Sequence, residues 1–265
     1  MRLSTLRSRW LAVLGVMLGV TLAAIGSPAV ASEPTSSAAL RGELTVSAAA
    51  SLTESFTAIG RQFRKANPKV RLRFNFASTT ALVTQIQAGA PVDVFASADL
   101  TSQDRLSASG NLTTSPRVFA RNAMQIAVKP GNPRKVRNVA DLAALDTVAL
   151  CAAAVPCGVY AASVLALNKT TIAVSATTRG VDAKATIAQV ALGDAEAALV
   201  YVTDVRAAGN SVTGVMIPAA LNVRATYGVA VIRGTANRSV ALAFVNFLSS
   251  ADAQQTLREF GFLAP

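Results

Sequence analysis

Short β-rich runs alternate with stretches of helical periodicity from Leu44 to the end of the chain. The pattern predicts strands over residues 44–49, 70–76, 92–97, 124–128, 147–152, 197–202 and 229–232. It predicts helices over residues 52–66, 81–88, 140–145, 159–167, 183–192, 240–248 and 251–260. Such alternation is typical of α/β proteins, in which mainly parallel sheets are flanked by helices on both faces. No linker rich in Pro and Gly divides the chain, so any two lobes would share it through crossover strands.

The N-terminal residues have the features of a secretory signal peptide. Arg2, Arg7 and Arg9 precede an apolar run over 10–25, and the small residues of Ala29-Val30-Ala31 predict cleavage after residue 31. A membrane anchor is the alternative, but the run of about 16 residues is shorter than the roughly 20 that span a bilayer. We expect residues 32–43 to form a disordered leader. Since no cysteine directly follows the apolar run, the protein is expected in the periplasm or cell envelope without a lipid anchor.

Charge and composition narrow the classes of function. The chain has no histidine, which excludes histidine-based catalytic triads, zinc sites and haem ligation. Removing residues 1–31 leaves 22 basic and 14 acidic side chains, a net charge of +8 that favours an anionic ligand. Nucleic acid and membrane surfaces are alternatives, but the densest basic stretch, 61–73, has the spacing of a helix end and of the solvated face of a strand.

Hydroxyl and capping residues recur where strands give way to helices. Ser51, with Glu54 three residues later, has the spacing of a capping box. Three hydroxyls end the segment 76–80, and the segments 155–158 and 180–184 precede two further helices, with Asp182 as a natural N-cap. Each helix start presents unpaired backbone N–H groups and a partial positive charge, which together bind anions. Four such starts in a basic chain indicate an anion site.

These segments resemble one known family. The strings Ala-Ala-Ala-Ser-Leu at 48–52, Phe-Ala-Ser-Thr-Thr at 76–80 and Asp-Val-Phe-Ala-Ser-Ala-Asp at 93–99 are similar, in order and spacing, to those of the periplasmic molybdate-binding component of bacterial ABC transporters. So are Val-Pro-Cys-Gly at 155–158, Leu-Val-Tyr-Val-Thr-Asp at 199–204 and Phe-Gly-Phe at 260–262. The resemblance covers residues 44–265.

The resemblance implies a two-lobed type II periplasmic binding protein in which two crossover strands join the lobes. The crossings are expected near 119–122 and 223–227, so lobe 1 would comprise 44–120 and 226–265, and lobe 2 would comprise 121–225. It further implies a monomeric, non-enzymatic protein without a cofactor that delivers molybdate or tungstate to a membrane permease and does not bind nucleic acid.

The resemblance also implies a set of ligand contacts. Hydroxyl groups would come from Ser51, Thr79 and Tyr201, and backbone amides from Cys157 and Ala183. Many family members have serine at Thr79, alanine at Cys157 and valine at Ala183, but a backbone donor survives a change of side chain. A set of neutral donors suits a fully deprotonated dianion, whereas hydrogen phosphate brings a proton that needs an acceptor.

Several alternatives remain open. Cys151 and Cys157 would form a disulfide in an oxidising compartment, or else stay as buried free thiols. Another solute, such as sulfate, phosphate or ferric iron, is a rival ligand, although the tyrosines that a ferric site needs (Tyr160, Tyr201 and Tyr227) are far apart in sequence. A secreted hydrolase using Asp93 and Asp99 is a further rival, but these residues flank one strand and are expected to cap turns. The last alternative function is that of an adhesin or structural module.

Overall fold

The predicted alternation is present in residues 40–265, the part of the chain that this computed structural model describes. Its strands are β1 Gly42–Ala49, β2 Val70–Ala77, β3 Val94–Ser97, β4 Arg117–Val128, β5 Val148–Cys151, β6 Thr177–Gly180, β7 Ala197–Tyr201, β8 Thr213–Met216 and β9 Arg224–Val231. Its α-helices are α1 Thr53–Ala66, α2 Thr79–Gln87, α3 Thr101–Ala108, α4 Pro156–Leu167, α5 Ala183–Ala191, α6 Val202–Ala208, α7 Arg238–Phe247 and α8 Ala251–Glu259.

Some elements differ from the sequence prediction. The predicted signal peptide over 1–31 lies outside the described residues. The predicted C-terminal boundary of the disordered leader, residue 43, is wrong because β1 begins at Gly42. Gly42 and Glu43 already belong to β1, because they pair with Val70 and Arg71 of β2. The helix predicted over 140–145 is a 3-10 helix over Ala140–Ala144. The pattern missed α3, α6, β6 and β8, which are short or mostly polar.

The strands form one mixed sheet in the order β2-β1-β3-β9-β4-β7-β5-β6, with β8 also paired to β4. Residues 117–123 of β4 pair with β9, and residues 124–128 pair with β7 and β8. We call β2, β1, β3, β9 and residues 117–123 the first half-sheet, and residues 124–128 with β7, β8, β5 and β6 the second half-sheet.

Pairings differ between the rim and the middle of the sheet. β1 runs parallel to β2 and β3, and β5 runs parallel to β6 and β7. Strands β4 and β9 are antiparallel to each other, and the half-sheets join where they pair. β9 is also antiparallel to β3, and β4 to β7 and β8. This junction lies near the predicted crossings, while the exact limits of the two lobes stay a prediction.

Helix α1 illustrates how the apolar pattern produces the packing. Phe56, Ile59 and Phe63 recur at helical spacing, and all three are buried. The rings of Phe56 and Phe63 lie 6.0 and 5.3 Å from that of Phe244 in α7, in edge-to-face geometry. Gly60 on the same helix lets the backbone approach β2, since a Cβ there would lie 2.7 Å from the Phe74 ring. Each buried ring contributes about 1.5–3 kcal/mol to this core.

The surface follows the predicted charge pattern. Arg71 and Arg73 of β2 are exposed, as expected for a solvated strand face, and Arg73 Nε lies 2.8 Å from Glu43 Oε1. Within residues 40–265, none of the helices has both the length and the apolar character that crossing a bilayer requires.

Candidate functional site

A small cavity lies among the starts of the helices that follow β1, β2, β5, β6 and β7. Its volume is about 20 Å³, far below the roughly 300–1,000 Å³ typical of pockets for organic ligands. Its lining comprises residues 49–51, 78–79, 98, 155–157, 182–183 and 201. The five predicted contacts are all among them: Ser51, Thr79, Cys157, Ala183 and Tyr201. The carboxyl ends of parallel strands are where α/β sheets usually bind ligands.

Ser51 reaches the cavity from a 3-10 turn, Ala50–Leu52, that connects β1 to α1. Its side chain is buried, and its Oγ lies 2.8 Å from the Tyr227 hydroxyl oxygen. The predicted capping box with Glu54 is wrong. Because the 3-10 turn intervenes, Leu52 occupies the N-cap position of α1, which has no side-chain cap.

Thr79 is the first residue of α2, and its side chain is buried. Ser78 before it is the N-cap and accepts a hydrogen bond from the Ala81 amide at 3.3 Å. Thr79 Oγ1 accepts one from the Ala98 amide at 3.1 Å. A hydroxyl that already accepts from the backbone keeps its own proton for another acceptor. Thr79 is therefore set up as a donor to a ligand.

Tyr201 ends β7 and is 1% exposed. Its hydroxyl oxygen has no hydrogen-bond partner among the described residues. Burial, reinforced by Tyr227 and Tyr160, raises the pKa of this phenol well above its usual value, so the group remains a neutral donor. Leaving a buried hydroxyl unpaired costs about 1–3 kcal/mol. An acceptor bound in the cavity would remove that cost.

Cys157 and Ala183 lie in the first turns of α4 and α5, where backbone N–H groups lack intrahelical acceptors. A disulfide joins Cys157 to Cys151 at the end of β5, with their Cα atoms 5.7 Å apart. The next residue is Gly158, and a side chain does not fit there. The start of α4 lies so close to the preceding chain that a Cβ at this position would overlap the Ala152 carbonyl oxygen.

Asp182 adds an acidic residue that the predicted set of neutral donors does not contain. Asp182 lines the cavity, and it is also the N-cap of α5, where its Oδ1 accepts a hydrogen bond from the Ala185 amide at 2.8 Å. The predicted capping role is thus confirmed. A carboxylate that accepts from a helix start is partly compensated by the helix dipole.

Two polar contacts connect the half-sheets across the cavity. Lys184 Nζ, on α5 over the second half-sheet, lies 2.7 Å from Glu54 Oε2, on α1 over the first. Thr80 Oγ1 donates to the Ala154 carbonyl oxygen at 3.0 Å. These contacts hold the two sides of the cavity together.

Asp204, three residues after Tyr201, is fully buried. Its Oδ2 accepts from the Tyr201 amide at 3.2 Å, while Lys184 Nζ lies 3.8 Å from its Oδ1. Burial raises the pKa of this carboxyl from 3.8 to about 7, although Lys184 and the Tyr201 amide act in the opposite direction. The folded protein therefore holds a proton at Asp204 that the unfolded chain releases near pH 4.

This carboxyl should make the stability depend on pH. Since the folded state binds more protons between about pH 4 and pH 7, the Asp204 contribution to the free energy of unfolding falls as the pH rises through that range. The slope should not exceed about 1.4 kcal/mol per pH unit. In urea unfolding from pH 4.5 to 7, Asp204→Asn should gain stability relative to the unmodified protein as the pH increases. Parallel stability curves for the two proteins would refute this assignment.

Two residues beside the site were missed by the sequence analysis. Tyr227 of β9 and Asn122 of β4 are fully buried, and Asn122 Nδ2 donates to the Tyr227 hydroxyl oxygen at 3.3 Å. Neither residue belongs to a strand-to-helix transition, the sequence feature that predicted the anion site. Buried polar residues on strands predicted to cross between lobes were the available clue.

The three tyrosines that are separated in sequence are neighbours in the structure, which overturns the argument that their spacing gave against a ferric site. The ring of Tyr201 lies 6.3 Å from that of Tyr160 and 6.1 Å from that of Tyr227. Burial raises the pKa of all three phenols, so that they are neutral in the absence of a bound cation. Residues 40–265 also contain no cluster of three or more His, Cys, Asp or Glu side chains.

The aspartates of the hydrolase alternative have structural partners. Asp93 accepts hydrogen bonds from the Thr45 amide at 2.7 Å and from the Thr235 hydroxyl. Asp99 Oδ1 accepts one from the Ser102 amide at 2.9 Å, at the start of α3. The expectation of a turn cap is confirmed for Asp99 and is wrong for Asp93, which instead joins β1 to the loop that follows β9.

Comparison with known proteins places this geometry in context. The family model described as bacterial extracellular solute-binding protein matches residues 44–263. The molybdate-binding protein ModA of Mycobacterium tuberculosis is 36% identical over 262 residues, covering 97% of this chain and 100% of the relative. ModA of Escherichia coli is 30% identical over 236 residues, covering 83% of this chain and 89% of the relative.

Two solved structures share the fold. The periplasmic molybdate-binding protein of Azotobacter vinelandii matches with a TM-score of 0.76 at 21% identity, over 84% of this chain and 99% of that one. The sulfate-binding protein SubI of Mycobacterium tuberculosis matches with a TM-score of 0.75 at 17% identity, over 84% and 86%. Because the two scores are nearly equal, the fold alone does not distinguish the ligands.

Proposed function

The chain belongs to the bacterial extracellular solute-binding protein family, and from this membership we propose that it captures molybdate or tungstate and delivers the ion to an ABC transporter. The observation that carries the proposal is the buried Tyr201 hydroxyl, which has no hydrogen-bond partner within residues 40–265 and belongs to a residue that lines a small cavity with other donors. Ser51 and Thr79 would add hydroxyl donors, and Cys157 and Ala183 would add backbone amides.

The charge state of the ligand follows from these donors. Hydrogen bonds to a charged acceptor contribute about 1.5–3 kcal/mol each, so that several of them offset the desolvation of a dianion. Among residues 40–265, no arginine or lysine lines the cavity, and the nearby Lys184 is paired with Glu54. Binding would therefore rest on neutral dipoles and helix starts, the arrangement that suits a tetrahedral oxyanion without a proton.

Sulfate is the alternative ligand, because it is also a tetrahedral dianion. Discrimination between the two ions would rest on the size of the cavity, whose volume of about 20 Å³ is far below that of pockets for organic ligands. The identity to molybdate-binding relatives at 30–36% favours molybdate. Molybdate and tungstate are too similar for the lining residues to separate.

A mass spectrum of the intact protein under native conditions tests the proposal. Protein expressed with molybdate and purified without added anions should carry a mass increment corresponding to one molybdate. An increment corresponding to sulfate, or none after incubation with molybdate, would reject it. The Tyr201→Phe variant is the control, since a smaller fraction of it should retain the increment under the same conditions.

The ion pair across the cavity should contribute modestly to affinity. Glu54→Gln removes the partner of Lys184 on the opposite half-sheet, and a partly exposed pair of this kind contributes up to about 1 kcal/mol. Since about 1 kcal/mol corresponds to about a fivefold change in affinity, we expect molybdate binding measured by calorimetry to be two- to fivefold weaker. Glu43→Gln is the matched control, because Glu43 pairs with Arg73 within the first half-sheet. Equal losses of molybdate affinity in the two variants would contradict a role of this ion pair in holding the two sides of the cavity together.

Location and partners follow from family membership and from the signal sequence. The protein would be exported, remain free of a lipid anchor, and act as a monomer that meets its transporter permease outside the cytoplasmic membrane. Neither catalysis nor nucleic-acid binding belongs to the proposal.

A further inference from the structure

A buried hydrogen-bond chain leads away from the cavity behind Ser51. Ser51 Oγ lies 2.8 Å from the Tyr227 hydroxyl oxygen, and that oxygen accepts from Asn122 Nδ2 at 3.3 Å. Asn122 Nδ2 also donates to Thr203 Oγ1 at 2.9 Å. Tyr227 and Asn122 are both 0% exposed, so that water does not compete for these groups.

The direction of the chain can be assigned from its far end. Asn122 Oδ1 accepts from the Ala123 amide at 2.9 Å, which fixes the side-chain amide with Nδ2 towards Tyr227. Tyr227 therefore accepts from Asn122, and its single proton is left to donate to Ser51 Oγ. Ser51 in turn accepts from Tyr227, and its own proton is free to point into the cavity.

We propose that Asn122 and Tyr227 are positioning residues that hold the Ser51 hydroxyl as a donor to the bound oxyanion and disfavour oxyanions that carry a proton. The inference rests on the proposed function, because it assigns the ligand's contact with Ser51. The Thr79 hydroxyl is constrained in the same way by the Ala98 amide. Because each of these hydroxyls is left with its proton to direct at the ligand, it favours a ligand oxygen that accepts over one that carries a proton.

The location of the two residues explains why they can be rigid. Asn122 lies opposite Ala225, and Tyr227 opposite Ala120, in the antiparallel pairing of β4 with β9. These strands join the two half-sheets, and the Tyr227 ring packs edge-on against Phe119 and Phe262 at 6.2 and 5.3 Å. The chain is therefore built into the junction and not into a mobile loop.

A double-mutant cycle tests the proposal through a readout that general destabilisation would not move. Calorimetry on the mature protein would compare Tyr227→Phe, Ser51→Ala and the double variant with molybdate and with phosphate at neutral pH. Tyr227→Phe should weaken molybdate binding about 5- to 30-fold, but less than about twofold in the Ser51→Ala background, since Tyr227 acts through Ser51. Its ratio of molybdate to phosphate affinity should fall, because the Ser51 hydroxyl can then rotate and turn a lone pair towards a protonated ligand oxygen.

Two further variants sharpen the result. Tyr160→Phe removes a phenol hydroxyl outside the chain and should leave the affinity for molybdate unchanged. Asn122→Asp keeps the acceptor for the Ala123 amide but replaces the donor to Tyr227 by an acceptor, which should reverse the chain and lower the same affinity ratio. If Tyr227→Phe does not fold, as judged by its thermal unfolding, the Asn122→Asp ratio decides.

The proposal is overturned if the losses from Tyr227→Phe and Ser51→Ala are additive, or if molybdate and phosphate binding weaken equally. These results differ from a failure of the proposed function, in which the unmodified protein would bind sulfate at least as tightly as molybdate. In that case the same cycle, titrated with sulfate and phosphate, still decides whether the chain directs Ser51.

Discussion

Removing the Tyr201 hydroxyl should weaken molybdate binding about 5- to 150-fold, which is the effect of leaving one oxyanion acceptor unmet in a closed cavity at about 1–3 kcal/mol. The phenol oxygen has no other partner among residues 40–265, so Tyr201→Phe deletes an interaction with the ligand and no hydrogen bond within the protein. Stability should therefore hold or rise slightly. Ser51→Ala should weaken binding to a similar extent, but it also removes the partner of Tyr227.

Calorimetry and thermal unfolding on the same samples separate these effects. Tyr160→Phe is the matched control, because its ring contacts that of Tyr201 but its hydroxyl does not line the cavity. Affinity in Tyr201→Phe within twofold of that of the unmodified protein would mean that the phenol does not contact the ligand.

The disulfide between Cys151 and Cys157 should be the other large contributor, in this case to stability. It closes a loop of about seven residues, for which loop entropy gives about 2 kcal/mol. Replacing both cysteines by alanine should lower the free energy of unfolding in urea by about that amount. The free energy of molybdate binding should change by less than the free energy of unfolding, because the Cys157 amide is retained at the start of α4.

Reduced, unmodified protein provides the control, and its stability should match that of the double variant to within about 1 kcal/mol, the scale of the altered side-chain packing. Titration of thiols in the denatured, unreduced protein should find none. Two free thiols per chain, or equal stability with and without reductant, would contradict the prediction.

The helix starts around the cavity could be predicted from local features of the sequence, whereas the individual ligand contacts came from the resemblance to the molybdate-binding family. Ser51, Thr79, Cys157 and Ala183 each lie at or just before the start of a helix, and capping residues with short motifs mark such places. The strands were recognisable where they are apolar on both faces, as in β5 and β7. Helix α3 was missed because only one of its apolar side chains, that of Leu106, is large and buried.

What the sequence could not reveal depends on contacts between distant segments. Ser51 and Tyr227 are 176 residues apart, and the partnership between their hydroxyls replaces the local capping interaction that the spacing of Ser51 and Glu54 suggested. Glu54 is instead paired with Lys184, 130 residues away. Local propensity predicts what a residue can do, whereas tertiary packing determines which of its possible partners it meets.

Competition between molybdate and sulfate for the ligand-free mature protein tests the central claim most directly. A calorimetric titration with molybdate should give one site, and the same titration in excess sulfate should show little loss of apparent affinity, since sulfate is expected to bind far more weakly. Tyr201→Phe should weaken the molybdate isotherm without changing its stoichiometry. Sulfate binding as tightly as molybdate, or no binding of molybdate at all, would contradict the assignment of this cavity as a molybdate site.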